Sequence, residues 1–81
     1  MQYFSYVIFS AESGQFYYGY FEDLDKILSM HNNNQIDVTK GKGPWAIVYS
    51  ESYDTRLRAI RQSRFYRTAK GQYFLKKILN F

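Results

Sequence analysis

The sequence predicts an α+β fold, with a small three-stranded, mainly antiparallel sheet flanked by helices in the order β-β-α-β-α-α. Two runs of aromatic and β-branched residues near the start are separated by turn residues, which is typical of a hairpin. The apolar pattern then changes to a helical period, and a third strand-like run precedes two further helical stretches. Because 81 residues supply one small core, we expect a single domain over residues 1–81.

The hairpin is predicted from YFSYVIFS at residues 3–10 and QFYYGY at residues 15–20, with AESG between them as the turn. A first helix is predicted next, since three apolar residues and a histidine recur at i, i+3, i+4 and i+7: Leu24, Ile27, Leu28 and His31. Acidic residues lie at the start of this helix, where they favour its N-terminus. His31 lies near its C-terminus, where the helix dipole favours a charged imidazole.

The remaining elements follow from turn and capping residues. The segment DVTKGKGPW combines glycines, lysines and the one proline, which predicts a loop leading into a third strand, WAIVYSES at residues 45–52. Asp54 or Thr55 is placed to cap a second helix that runs through Arg67. The stretch GQYFLKKIL at residues 71–79 predicts a third helix.

Composition excludes several classes of protein. There is no cysteine, so neither a disulfide framework nor a thiolate metal site is available. The first ten residues lack a basic segment and a small-residue cleavage site, and no apolar run approaches the ~18 residues that span a bilayer. We therefore expect a soluble, cytoplasmic protein without a membrane partner.

Charge is distributed unevenly along the chain. Three lysines against seven acids give residues 1–54 a formal charge of −4, whereas eight basic residues and no acid give residues 55–81 a charge of +8. This asymmetry favours a polyanion partner over a solvated basic face, which is the alternative interpretation. The predicted nucleic-acid-binding residues are Lys40, Lys42, Arg58, Arg61, Arg64, Arg67 and Lys70.

Five short motifs, in order and at matching spacing, resemble the GIY-YIG nuclease family, specifically its small stand-alone bacterial type related to the N-terminal domain of the excision-repair nuclease subunit. FSY at residues 4–6 occupies the GIY triplet and YYG at residues 17–19 occupies YIG. YFEDLDKILSMHN is similar to the family helix Y-T-x-D-L-E-R-R-L-x-x-H-N. The family motif S-T-K-x-x-x-P-W-x-L-V-Y-x-E is similar to TKGKGPWAIVYSE at residues 39–51. The family's C-terminal motif is similar to FYRTAKGQYFLKK at residues 65–77.

The resemblance implies a DNA endonuclease that uses one divalent metal ion. Its catalytic tyrosines and histidine correspond to Tyr6, Tyr17 and His31. The family's helix arginine corresponds to Ile27, a residue whose place in the apolar stripe predicts a core position. Lys26 precedes it but points ~100° away around the helix and lacks the planar guanidinium fork.

The family's metal-binding glutamate corresponds to Ser63. A neutral hydroxyl is a poor ligand for a hard divalent cation, which prefers carboxylate oxygens. No metal ligand is therefore predicted, and no cofactor is expected, although Mg²⁺ or Mn²⁺ would be used if the protein were active. A carboxylate migrated from Glu51 or Asp54 is an open alternative, against which stands the structural role of acids at a strand end and a helix cap.

From these residues we expect a GIY-YIG domain that binds nucleic acid, DNA in preference to RNA, with lost or weakened phosphodiester hydrolysis. Two other functions stay open. The first is an active, divalent-metal-dependent DNA endonuclease. The second is a protein-interaction module, in which the acidic first part of the chain and the basic last part pair with a partner or with another copy.

Overall fold

A computed structural model describes residues 1–80, and residue 81 of the predicted domain lies outside them. The described residues form three strands and three α-helices, with a 3-10 turn at Asp37–Thr39. The elements are β1 (Tyr3–Ser10), β2 (Gln15–Phe21), α1 (Leu24–Asn32), β3 (Ala46–Tyr53), α2 (Arg56–Phe65) and α3 (Ala69–Leu79). This order and the α+β class confirm the sequence-based prediction.

The sheet has the order β2-β1-β3, and both pairings are antiparallel. The hairpin turn closes with a 2.8 Å bond from the Gly14 amide to the Ser10 carbonyl. Gly14 has a φ of +70°, a left-handed conformation that glycine adopts without steric cost. As the central strand, β1 is covered on both faces, whereas β2 and β3 form the edges of the sheet.

Side chains of β1 alternate between two core clusters. Tyr6 and Ile8 pack with Ile27 of α1 and with Trp45, which precedes β3. On the other face, Val7 packs with residues of α2, α3 and the turn between them. The sheet is therefore a middle layer, with α1 against one face and the α2–α3 pair against the other.

The structure corrects the boundary between the last two helices. Helix α2 ends at Phe65 instead of continuing through Arg67, and α3 begins at Ala69, two residues before the predicted start. The hydroxyl of Thr68 caps α3 by accepting a 3.0 Å bond from the Gly71 amide. Consequently Arg67 lies in the turn between two helices and not on one continuous helix with Arg58.

Two local interactions fix this turn and the loop before β3. A Cβ at position 71 would overlap the Phe65 carbonyl, so glycine lets α3 cross closely over the end of α2. In the loop, the side chain of Asn32 makes two hydrogen bonds to the backbone of Trp45. Its Oδ1 accepts a 2.6 Å bond from the backbone N–H, and its Nδ2 donates a 3.1 Å bond to the carbonyl. This clamp ties the start of β3 to the end of α1, and the strand begins at Ala46, one residue after the predicted start.

Candidate active site

A cleft of about 430 Å³ lies over the edge strand β2, between α1 and α2. Its lining includes residues from both faces of β2, because Tyr17 and Gly19 alternate with Tyr18 and Tyr20 along the strand. The remaining lining residues come from β1, both neighbouring helices and the segments that follow them: Tyr6, Ile27, His31, Ile36, Ile60, Ser63, Arg64 and Arg67. The cleft thus brings together Tyr6, Tyr17 and His31, the three residues that the motif resemblance predicts to be catalytic.

The two motif tyrosines meet through the register of the hairpin. Tyr6 lies directly opposite Gly19, and Tyr17 is its diagonal neighbour, with ring centroids 6.5 Å apart. A Cβ at Gly19 would lie 2.5 Å from the Tyr6 hydroxyl oxygen. The glycine of the YYG triplet is therefore required for the Tyr6 ring to lie across β2.

A chain of hydrogen bonds leads from Tyr6 away from the cleft. The Tyr6 hydroxyl lies 2.9 Å from His31 Nε2, and His31 Nδ1 lies 2.7 Å from Thr39 Oγ1. Because the Thr39 hydroxyl donates to the Ile36 carbonyl at 3.3 Å, it accepts from His31 Nδ1–H. The hydrogen-bond pattern thus assigns the imidazole proton to Nδ1, and Nε2 accepts from Tyr6.

Burial keeps this chain electrically neutral. It lowers the pKa of His31 below its ordinary value of 6.5. It also raises the pKa of Tyr6, with the neighbouring Tyr17 adding to the increase and Arg67 opposing it. The helix-dipole argument, which favours a charged imidazole at this position, is therefore outweighed by desolvation. At neutral pH the cleft presents a phenol and an uncharged imidazole.

The two substituted family positions both line the cleft. Ile27 is buried in the core cluster with Tyr6 and Trp45, as its place in the apolar stripe indicates. Ser63 is also buried, and its hydroxyl donates a 2.7 Å bond to the Ile60 carbonyl within α2. At the two positions where the resemblance predicts an arginine and a glutamate, the cleft therefore has a hydrocarbon side chain and a hydroxyl that already donates within α2.

Among residues 1–80, those that line the cleft include no Asp or Glu. Over the same range, no group of three or more His, Cys, Asp or Glu side chains could hold a metal ion. Glu51 accepts hydrogen bonds from Gln62, Tyr66 and Tyr53 on the other face of the sheet, and Asp54 pairs with Arg58 at 3.1 Å on the surface. The donors present in the cleft therefore do not fit a hard divalent cation.

The predicted nucleic-acid-binding residues separate into two groups. Arg64, in the last turn of α2, and Arg67, in the turn after it, line the cleft. Arg67 is oriented by a 2.8 Å bond from its Nη2 to the Tyr18 carbonyl. The others are exposed and outside the cleft, as is Lys26 on α1: Lys40, Lys42, Arg58, Arg61 and Lys70.

Sequence reasoning missed two features of this site. Thr39, which orients His31, lies eight residues further along the chain in a loop that has no periodic pattern. Its match to the threonine of the family's S-T-K motif is the signal that could have identified it. The cleft position of Arg67 was also missed, because it depends on α2 ending at Phe65; the capping residue Thr68 was the signal for that boundary.

The hairpin tyrosines, the histidine that accepts from one of them, and the layered β-β-α-β-α-α order define a nuclease-like domain. The family of the GIY-YIG catalytic domain matches residues 2–73, and the chain belongs to this family. Nucleases of the family typically use divalent metals.

Several relatives have the same size. The chain is 35% identical to a UPF0213 protein of Staphylococcus saprophyticus over 72 residues, which cover 88% of each chain. It is 31% identical to a UPF0213 protein of Staphylococcus epidermidis over 78 residues, 95% of this chain and 94% of the relative. The solution NMR structure of a UPF0213 protein from Bacillus halodurans superposes with a TM-score of 0.56, covering 96% of this chain and 85% of that one. At 21% identity, that superposition supports the fold.

None of the helices in residues 1–80 combines the length and the apolar character that crossing a membrane requires.

Proposed function

We propose that this domain binds nucleic acid, DNA in preference to RNA, across its cleft and the adjoining basic surface, and that its metal-dependent hydrolysis is lost or strongly weakened. The observation that carries the proposal is the lining of the cleft. It retains Tyr6, Tyr17 and His31 but has Ile27 and Ser63 where the family has an arginine and a glutamate.

The missing groups are the ones that phosphodiester hydrolysis depends on most. A metal ion and a cation stabilise the negative charge that develops on the phosphoryl oxygens in the transition state. Loss of one preorganised electrostatic group costs about 10²–10³ in rate, and loss of the metal costs several kcal/mol more. Even with non-additive effects, we expect a decrease of about 10⁴ or more.

The remaining groups are suited to binding. Arg64 and Arg67 bring positive charge to a cleft without carboxylates, and guanidinium groups match the geometry of phosphate oxygens. The side chain of Tyr17 lines the same cleft and offers a hydroxyl as a hydrogen-bond donor. A phosphate backbone would therefore be held in the cleft by charge and hydrogen bonds, without a metal ion.

Nicking of supercoiled plasmid with Mg²⁺ or Mn²⁺ tests the loss of hydrolysis. We expect no nicking by the wild-type chain and measurable nicking by the double variant Ile27→Arg with Ser63→Glu. Nicking by the wild type that Tyr17→Phe abolishes would instead establish an active endonuclease. Because both restored side chains are buried, calorimetric Mn²⁺ titration of the single variant Ser63→Glu, checked for folding, provides a second readout of the restored ligand.

The salt dependence of DNA binding tests the nucleic-acid assignment. Neutralisation of about four phosphates predicts a slope of log K against log salt near −3.6 on duplex DNA. The double variant Arg64→Gln with Arg67→Gln is expected to make this slope shallower by about 1.8. Arg56→Gln, on α2 but outside the cleft, removes one positive charge and is the matched control for the single variants Arg64→Gln and Arg67→Gln. A wild-type affinity that does not respond to salt contradicts the assignment.

A further inference from the structure

The outward face of α3 presents an exposed tyrosine among lysines. Tyr73 is 65% exposed, although large aromatic side chains are usually covered. With ~100° between successive helical residues, Lys77 lies about 40° from Tyr73, and Lys70 and Lys76 lie about 60° to either side. All three lysines are exposed. Tyr73 is thus the centre of a surface, the Tyr73 face, formed by these four residues.

The opposite side of α3 anchors the helix, so the Tyr73 face has no role in the core. Leu75 is buried with Val7 and Tyr66, and Phe74 packs against the same cluster. Lys77 Nζ lies 5.5 Å from the centroid of the Tyr73 ring, which helps to hold the two side chains together. Within residues 1–80, neither Lys70, Lys76 nor Lys77 takes part in a salt bridge. Their charge is available to a partner.

The helix that carries the Tyr73 face begins directly after a cleft residue. Arg67 lines the cleft, and the next residue, Thr68, caps α3, so the helix starts at the rim of the cleft and leads away from it. At a rise of ~1.5 Å per residue, Lys70 and Lys77 are about 10 Å apart along the helix axis. A strand that leaves the cleft along α3 would therefore pass these lysines.

We infer that the Tyr73 face binds a single nucleic-acid strand, with one unpaired base stacked on the Tyr73 ring and the flanking phosphates held by the lysines. This inference rests on the proposed function, because it concerns the strand that reaches the cleft. An exposed ring between cations is the arrangement by which proteins bind single strands without sequence preference. In a duplex the faces of the bases are already stacked on one another, so the ring has no base to contact.

Fluorescence anisotropy in EDTA, with a short labelled DNA strand and the duplex of the same sequence, tests the inference. We expect Tyr73→Ala to bind the single strand about 5- to 150-fold more weakly, whereas Tyr73→Phe retains the affinity because the ring remains. Leu57→Ala removes an apolar side chain of similar exposure, 55%, from α2 and is the matched control. Duplex affinity is expected to be the same for all three variants and the wild type.

The lysines are tested in the same assay. The double variant Lys76→Gln with Lys77→Gln is expected to make the salt slope for the single strand shallower by about 1.4. Thermal unfolding of each variant confirms that the fold is retained, which is expected because the substituted side chains are exposed.

Several outcomes overturn the inference. The first is that Tyr73→Ala binds the single strand as tightly as the wild type does. The second is that Tyr73→Phe loses as much single-strand affinity as Tyr73→Ala. The third is that Tyr73→Ala loses as much affinity for the duplex as for the single strand. Competition by polyglutamate as effective as that by unlabelled DNA would identify an acidic protein surface as the partner and also overturn it. If Arg64→Gln with Arg67→Gln loses binding while the Tyr73 variants do not, the proposed function stands without this inference. If the wild type binds no DNA, both fail.

Discussion

Two hydrogen-bond networks lie on opposite faces of β1, one buried and one partly buried, and they differ in the chemical groups that they contain. The cleft network runs from Tyr6 through His31 to Thr39. The second, the Glu51 network, joins its carboxylate to side chains that donate to it or to one another: Tyr53, Gln62, Tyr66 and Ser5. Adjacent residues of β1, Ser5 and Tyr6, enter different networks because strand side chains alternate.

A metal-dependent hydrolase needs its catalytic side chains and a carboxylate in one place. Here the tyrosine and histidine belong to one network and the carboxylate belongs to the other. The cleft network is open to ligands but contains no acid. The Glu51 network contains an acid, but its oxygens already accept three hydrogen bonds. Glu51 also lies on β3, at the opposite edge of the sheet from β2 and the cleft. Proximity in sequence to the active-site motifs does not make Glu51 a replacement ligand, because its carboxylate is already used to hold β3 against α2.

Removing the acid of the Glu51 network is expected to have the largest effect on stability. Glu51→Ala leaves the Tyr66 hydroxyl, the Gln62 amide and the Tyr53 hydroxyl without their acceptor, which should cost about 2–4 kcal/mol of unfolding free energy. Asp54→Ala removes an exposed acid and is expected to cost less than about 1 kcal/mol. Urea unfolding measures both variants. Similar losses for the two would show that Glu51 has no special structural role.

Removing one hydroxyl from each network gives the next largest effect. Tyr66→Phe should cost about 1–3 kcal/mol, because it leaves Ser5 and the Glu51 carboxylate without a buried partner. Tyr6→Phe should cost about 1 kcal/mol, at the low end of that range, because it removes one hydrogen bond, to His31 Nε2, whereas Tyr66→Phe removes two. The same urea experiment measures both. A larger loss for Tyr6→Phe would show that the number of hydrogen bonds removed does not decide the cost.

The smallest expected effect is a pH dependence that belongs to the cleft network. Burial lowers the pKa of His31 in the folded chain, so below its unfolded value of 6.5 the unfolded chain binds a proton that the folded chain does not. Stability should therefore fall as the pH decreases below 6.5, by at most about 1.4 kcal/mol per pH unit, until the folded pKa is reached.

His31→Gln keeps a polar side chain at this position and should remove that pH-dependent part, whatever it does to stability at neutral pH. Urea unfolding between neutral and mildly acidic pH measures the slope for the wild type and the variant. Equal slopes for the two proteins would mean that another group titrates in this range.

The fold was largely predictable because its signals are local. The alternating runs of the hairpin and the i, i+3, i+4, i+7 stripe of α1 each specify an element within about ten residues. The break between α2 and α3 was harder to predict, since RFYR continues a helical pattern without glycine or proline. There the close approach of Gly71 to Phe65 and the capping hydroxyl of Thr68 outweigh local propensity.

The cleft was only partly predictable. Motif spacing predicted Tyr6, Tyr17, His31, Ile27 and Ser63 as positions of one site, and all five line the cleft. The orientation of His31 by Thr39 depends on how the loop folds back on α1, which sequence periodicity does not encode. The separation of Glu51 from the cleft likewise follows from its register opposite Ser5, a pairing between distant parts of the chain.

The position of Trp45 has a practical consequence. It is the only tryptophan of the chain, it is buried, and its ring centroid lies 6.4 Å from that of His31. Its intrinsic emission should respond both to unfolding and to protonation of the neighbouring imidazole. The molecule therefore carries an internal optical probe beside the cleft, which allows ligand and pH titrations without attaching a dye.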